Sequence, residues 1–178
     1  MQLIWPFVPN YILTWMLHAS SHVTNLINTF GAPLGSITLR FRRNTLNQLI
    51  SAALDNRWHT LEVGLELTTP DNTSGSPFSI GLINHDMVEI LTNGGTSIEI
   101  NRQAFISALE YLACNQHLEN NPCRIGSNKD IQQAGPLCVA VRNANGVNVM
   151  IINYLLSLLS RMNLVEINGN RPNTTWLL

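Results

Sequence analysis

Apolar positions recur along this chain at two different periods, and the changes of period divide it into elements. Over residues 11–30 they fall at helical intervals and stop at Gly31, which predicts a helix with a glycine terminator. Ala32, Pro33, Leu34 and Gly35 then read as a turn. Residues 36–42 alternate Ile37, Leu39 and Phe41 with Thr38, Arg40 and Arg42, a period of two that predicts a strand with a basic outer face. Residues 44–58 return to helical spacing, with Leu46, Leu49, Ile50, Ala53 and Leu54 as the apolar stripe. From Thr60 the pattern is β: Leu61, Val63, Leu65 and Leu67 alternate with Glu62, Gly64, Glu66 and Thr68, so both glutamates are expected on one strand face. A loop over residues 69–77 follows. Strands over 78–83 and 87–91 flank Asn84-His85-Asp86, and Asn93-Gly94-Gly95 turns the chain into a strand over 97–100.

Beyond Asn101 the helical period dominates. Phe105, Leu109, Leu112 and Ala113 mark a helix over 102–116, and residues 123–125 read as a short strand. Ser127 is a natural N-cap for a second helix over 128–142. Gly135-Pro136 interrupts that segment, and an interior proline costs roughly 3 kcal/mol, so the helix is expected to start or restart at Pro136. Asn143-Ala144-Asn145-Gly146 supplies a turn tolerant of positive φ. A third helix over 148–162 presents Ile152, Leu156 and Leu159 inward and closes on Asn163, the best non-glycine residue for a left-handed terminus. Apolar strands over 164–167 and 174–178 then enclose a tip of Asn, Gly, Arg and Pro, expected in solvent.

This order of helix, short strand, helix, turn, helix and hairpin resembles the winged helix-turn-helix superfamily over residues 101–178. The predicted fold class is therefore α+β, with an N-terminal helix and small antiparallel sheet in residues 1–100 followed by a winged-helix module. The resemblance implies binding to double-stranded DNA, with the third helix in the major groove and the wing against the backbone or minor groove. By position it assigns DNA contacts to Asn145 and Asn148 at the start of the third helix, Asn153 on its outer face, and Asn170, Arg171 and Asn173 in the wing. Asparagine suits adenine edges, and arginine suits phosphate or a narrow minor groove. A sequence-specific transcriptional regulator is the leading expectation, its first hundred residues dimerising, sensing a ligand or carrying catalysis.

Composition qualifies this picture. The chain of 178 residues is 45% hydrophobic and only 12% charged, with a net charge of −1, which excludes binding to nucleic acid by bulk attraction alone. Residues 101–178 carry six basic and four acidic side chains, while the first hundred carry four and seven, so the small basic excess coincides with the module. Cys114, Cys123 and Cys138 lack zinc-site spacing and read as reduced thiols in a cytoplasmic protein. Pro6 and Pro9 interrupt the apolar start and no basic run precedes it, so neither a signal peptide nor a membrane span is expected. Trp5, Tyr11 and Trp15 offer either a homodimer surface or core.

Two weaker constellations are compatible with chemistry. His18 and His22, four apart in a predicted helix, have the spacing of a metal pair but no Glu beside the first, and packing or capping is the simpler reading. Glu62 and Glu66, with Asp71 and Asp86 close by, are candidates for a Mg²⁺-dependent nuclease or another DNA-processing enzyme with a winged-helix reader. The sole lysine, Lys129, lies in the other half, so the carboxylate-plus-lysine arrangement of many nucleases is not available there. No cofactor is expected otherwise. A third reading is a winged helix that binds protein instead of DNA.

Overall fold

The computed structural model describes the backbone from Gly35 to Leu178 and side chains from Asn44 onward. The expected helix over 11–30, the His18/His22 pair and the Trp5, Tyr11 and Trp15 surface lie outside the described residues.

The protein is a mixed helix-and-sheet fold with antiparallel sheets. Its first described element, α1 (Gly35–Trp58), overturns the strand expected over 36–42: the backbone there is helical and runs without a break into the expected helix. The reason lies in the spacing. Ile37 and Phe41 are four apart, a separation that alternation shares with a helical stripe, and no Gly or Pro between 36 and 58 stops a helix from extending through.

A four-stranded sheet follows, built from β1 (Glu66–Thr68), β2 (Pro77–Ile83), β3 (Met87–Thr92) and β4 (Ser97–Asn101) in that spatial order. The strand expected to begin at Leu61 is confined to its last residues. Gly64 adopts φ +84°, and Leu65 N–H closes a turn onto the Glu62 carbonyl, so Val63 swings out to 61% exposure while Leu61 stays buried. Asn84 sets the β2–β3 reversal, its side-chain oxygen accepting from the amides of Asp86 and Met87. Phe78, Ile80, Val88, Ile90 and Ile100 form the buried face of the sheet.

β4 passes directly into α2 (Arg102–Cys114), whose Ala104, Phe105, Ala108, Leu109 and Leu112 are fully buried at helical spacing. Then come β5 (Cys123–Arg124), a single 3₁₀ turn at Ile131–Gln133, and α3 (Pro136–Asn145), which starts at the proline with its fixed φ at the first helical position. Gly135 lies against Gly126, where a Cβ would stand 2.9 Å from the Gly135 Cα, so β5 and α3 approach through two side-chain-free residues. α3 ends at left-handed Gly146, and α4 (Ile152–Arg161) ends two residues before left-handed Asn163, φ +57°. β6 (Val165–Asn168) and β7 (Thr174–Leu177) close a second sheet in the order β5-β7-β6.

One apolar core runs through both halves. It joins Ile50 and Leu54 of α1 and the inner face of the first sheet to Leu137, Val141, Leu155, Leu156 and Leu159 of α3 and α4. Each such side chain contributes roughly 1.5–3 kcal/mol on full burial, so the two halves are fastened by far more than a hinge.

Candidate nucleic-acid interface and the seam beside it

The third helix of the C-terminal half, α4, is enclosed along most of its length. Ile152, Leu155, Leu156, Leu158 and Leu159 are fully buried. On its polar side the Ser157 hydroxyl donates to the Thr68 carbonyl at 2.7 Å, and Tyr154 meets Phe78 edge-to-face with centroids 5.1 Å apart. The first sheet therefore covers the flank of α4 that the resemblance would lay in a major groove. Sequence periodicity shows that Asn153, Ser157 and Ser160 share a face but not what lies against it.

The wing tip is exposed at Asn170, Arg171 and Pro172, as expected, and is also tied to the β1–β2 loop. Arg171 donates to the Asp71 carboxylate at 2.9 Å and to Ser74 Oγ at 3.2 Å. Asn170 Oδ1 accepts from the Asn72 side chain at 3.0 Å, Asn173 donates to the Pro70 carbonyl, and Asn72 N–H reaches the Gly169 carbonyl at 3.2 Å. Asp71 accepts from the backbone amides of Thr73 and Ser74 as well, at 2.9 and 3.0 Å. The Thr73 amide, then the Arg171 guanidinium, then the Ser74 amide hold its carboxyl well below the usual carboxylate range. All three wing residues thus have partners within the chain. Arg171 remains 70% exposed, with its charge opposed by Asp71.

Asn145 stands in the last turn of α3, not at the start of α4. It is 3% exposed and caps the free edge of β4, its Oδ1 accepting from Asn101 N–H at 2.7 Å and its Nδ2 donating to the Glu99 carbonyl at 3.0 Å. The amide imitates a neighbouring strand, covering an edge that would otherwise offer unpaired backbone groups. Asn101 reciprocates by donating its side-chain amide to the Asn145 carbonyl at 3.0 Å.

What remains open to solvent near α4 is the loop that leads into it and the loop beside that, whereas Ile151 and Ile152 at the helix start are buried. Ser127, Lys129 and Asn148 are exposed and Asn153 is half-buried, with Asn153 Nδ2 3.4 Å from Ser127 Oγ. No side chain caps the first turn of α4. Beneath this surface Arg142, 2% exposed, donates to the carbonyls of Asn128 and Lys129 and, at 3.4 Å, to Asn148 Oδ1. Its charge meets carbonyl dipoles and the carboxyl end of α3 in place of an acid. The position of Lys129 one residue past Asn128, and of Arg142 in the last turn of α3, is plain in sequence. Their convergence is not, because it depends on the β5–α3 approach through Gly126 and Gly135.

The acidic candidates do not assemble. Glu62 sits in the turn before β1 and Glu66 on β1, both exposed, Asp71 is taken by Arg171, and Asp86 pairs with His85 at 2.9 Å. Among the described residues no three His, Cys, Asp or Glu side chains come together as a metal site would require. No disulfide joins the three cysteines, and burial raises the Cys123 thiol to about 11. Among the described residues no helix is long and apolar enough to cross a membrane.

No family model, curated protein or solved structure matches the chain.

Proposed function

We propose that residues 101–178 form a winged helix and that the chain binds double-stranded DNA sequence-specifically, as a transcriptional regulator would, through the amino-terminal end of α4. The element order α2, β5, α3, α4, β6, β7, with sheet order β5-β7-β6, supports the winged-helix reading. The observation that carries the DNA reading is the exposed Ser127, Lys129 and Asn148, with half-buried Asn153, beside an uncapped helix start and held by buried Arg142. Helices that enter a major groove present base-reading side chains from their first turn, and aligned amides there suit a phosphate. Asn148 and Asn153 take the base-reading role and Lys129 the phosphate role. The wing and the flank of α4 serve the fold. Two copies related by a two-fold axis would double a contact surface that holds only one lysine.

Selection of bound sequences from a random duplex pool tests this reading. Wild type enriches a motif, Asn148→Ala and Asn153→Ala relax it at particular positions, and Lys129→Ala weakens all sequences alike and lowers the salt dependence. Absence of any binding at low salt refutes it. A protein-docking winged helix is the second reading, favoured by Val147 and Val149, which are 48% and 42% exposed in the α3–α4 turn. Among the described residues no carboxylate group assembles in support of a Mg²⁺-dependent nuclease.

A further inference from the structure

The seam between the two halves leaves a groove of about 380 Å³, within the size range of small-molecule sites. Leu67, Pro70 and Ile167 give it an apolar side, while Thr68, Ser157 and Ser160 give it hydroxyls. Two arginines lie at this seam. Arg171 is matched to Asp71, whose carboxylate accepts from two further donors, the Thr73 and Ser74 amides. Arg161, which lines the groove, is exposed and its guanidinium pairs with none of the described residues. Among the described residues, the acid of the groove has its partners and the solvent-exposed Arg161 guanidinium has no protein partner.

The carboxyl end of a helix ordinarily repels an anion, and Arg161 stands in the last turn of α4. Here that end is closed. The carbonyls of Leu158, Leu159 and Ser160 accept from the amides of Met162, Leu164 and Asn163, through the left-handed turn at Asn163. Ser160 lines the same groove as Arg161, and Ser157 is fixed by Thr68. The groove is a built feature of the seam: Asn72 packs so closely on Gly169 that a Cβ there would stand within van der Waals overlap of the Asn72 side chain.

We infer that this groove is a binding site for a small organic anion, a carboxylate or phosphate monoester whose charged group pairs with Arg161 and whose compact apolar body lies along Leu67, Pro70 and Ile167. The site is separate from the DNA surface proposed above and stands whether or not that reading holds.

Titrating the full chain with phenyl phosphate, inorganic phosphate and phenol, followed in ¹⁵N–¹H spectra, tests it. Phenyl phosphate is expected to give saturable shifts at the amides of Thr68, Asn72 and Ser160, and to bind more tightly than either of the other probes. Arg161→Gln weakens phenyl phosphate by roughly tenfold or more, since a charge-assisted pair is lost, and leaves thermal unfolding unchanged because the side chain is exposed. Arg161→Lys retains part of the affinity. The proposal is overturned if phenyl phosphate gives no saturable shift at these amides, if Arg161→Gln binds as wild type does, or if phenol or inorganic phosphate binds equally well.

Discussion

Replacing Asn145 with alanine separates a folding role from a DNA-reading role at one position. The substitution removes the acceptor for Asn101 N–H and the donor to the Glu99 carbonyl, bonds of 2.7 and 3.0 Å at a residue 3% exposed. Each buried group left without a partner costs about 1–3 kcal/mol, and the β4 edge is near enough to solvent for water to recover part of that. The expected loss is about 2–4 kcal/mol, a large share of the roughly 5–15 kcal/mol that holds a protein folded. Urea unfolding followed by circular dichroism measures it, and a chain of this size should lose roughly 5–12 °C in thermal midpoint. Asn145→Asp sharpens the test. Its carboxylate still accepts from Asn101 but opposes the Glu99 carbonyl, oxygen against oxygen. The variant should be at least as damaged as alanine at neutral pH and should recover on acidification, when the protonated acid donates to that carbonyl. The folded state raises this acid's pKa, so the relative stability gain lies below the folded value and is lost as pH rises through it. An Asn145→Ala protein within about 0.5 kcal/mol of wild type that nonetheless loses DNA would refute the edge-capping argument, because surface changes without structural roles fall in that range.

Three further outcomes follow from the same structure. Gly126→Ala forces a side chain into φ +58° and to 2.9 Å from the Gly135 Cα, backbone that cannot step aside, and should cost more than about 2 kcal/mol in denaturant unfolding. Asp71 has a depressed folded pKa, so its contribution is fully present above the ordinary Asp value and is lost as pH falls through the folded one. Wild type should lose stability on acidification below about pH 4, and Asp71→Asn, destabilised at neutral pH, should show a flatter acid limb. Cys123 and Cys138 are buried and Cys114 is exposed, so a thiol reagent at neutral pH should label Cys114 in the folded protein and the other two only after unfolding, as read by mass spectrometry of peptides.

Residue spacing alone determined much of this protein. The hairpin strands after Pro77, the stripe of α2, the start of α3 at Pro136 and the left-handed terminus at Asn163 follow from side-chain period, proline geometry and the tolerance of asparagine for positive φ. These are local effects, complete within a turn or a strand. Where the local signal served two structures, as at Ile37 and Phe41 in α1, it was resolved by continuity with the helix beyond. The tertiary structure alone decided which polar groups are free. Asn145, Asn170, Arg171 and Asn173 look like a binding surface in sequence, but an amide or guanidinium finds its partner by proximity in space, and their partners lie 44 to 103 residues away. The same packing that buries one flank of α4 under the first sheet leaves the loop before it exposed and opens the groove at Arg161. Burial depends on how elements stack, and no periodicity within one element reports what lies against it.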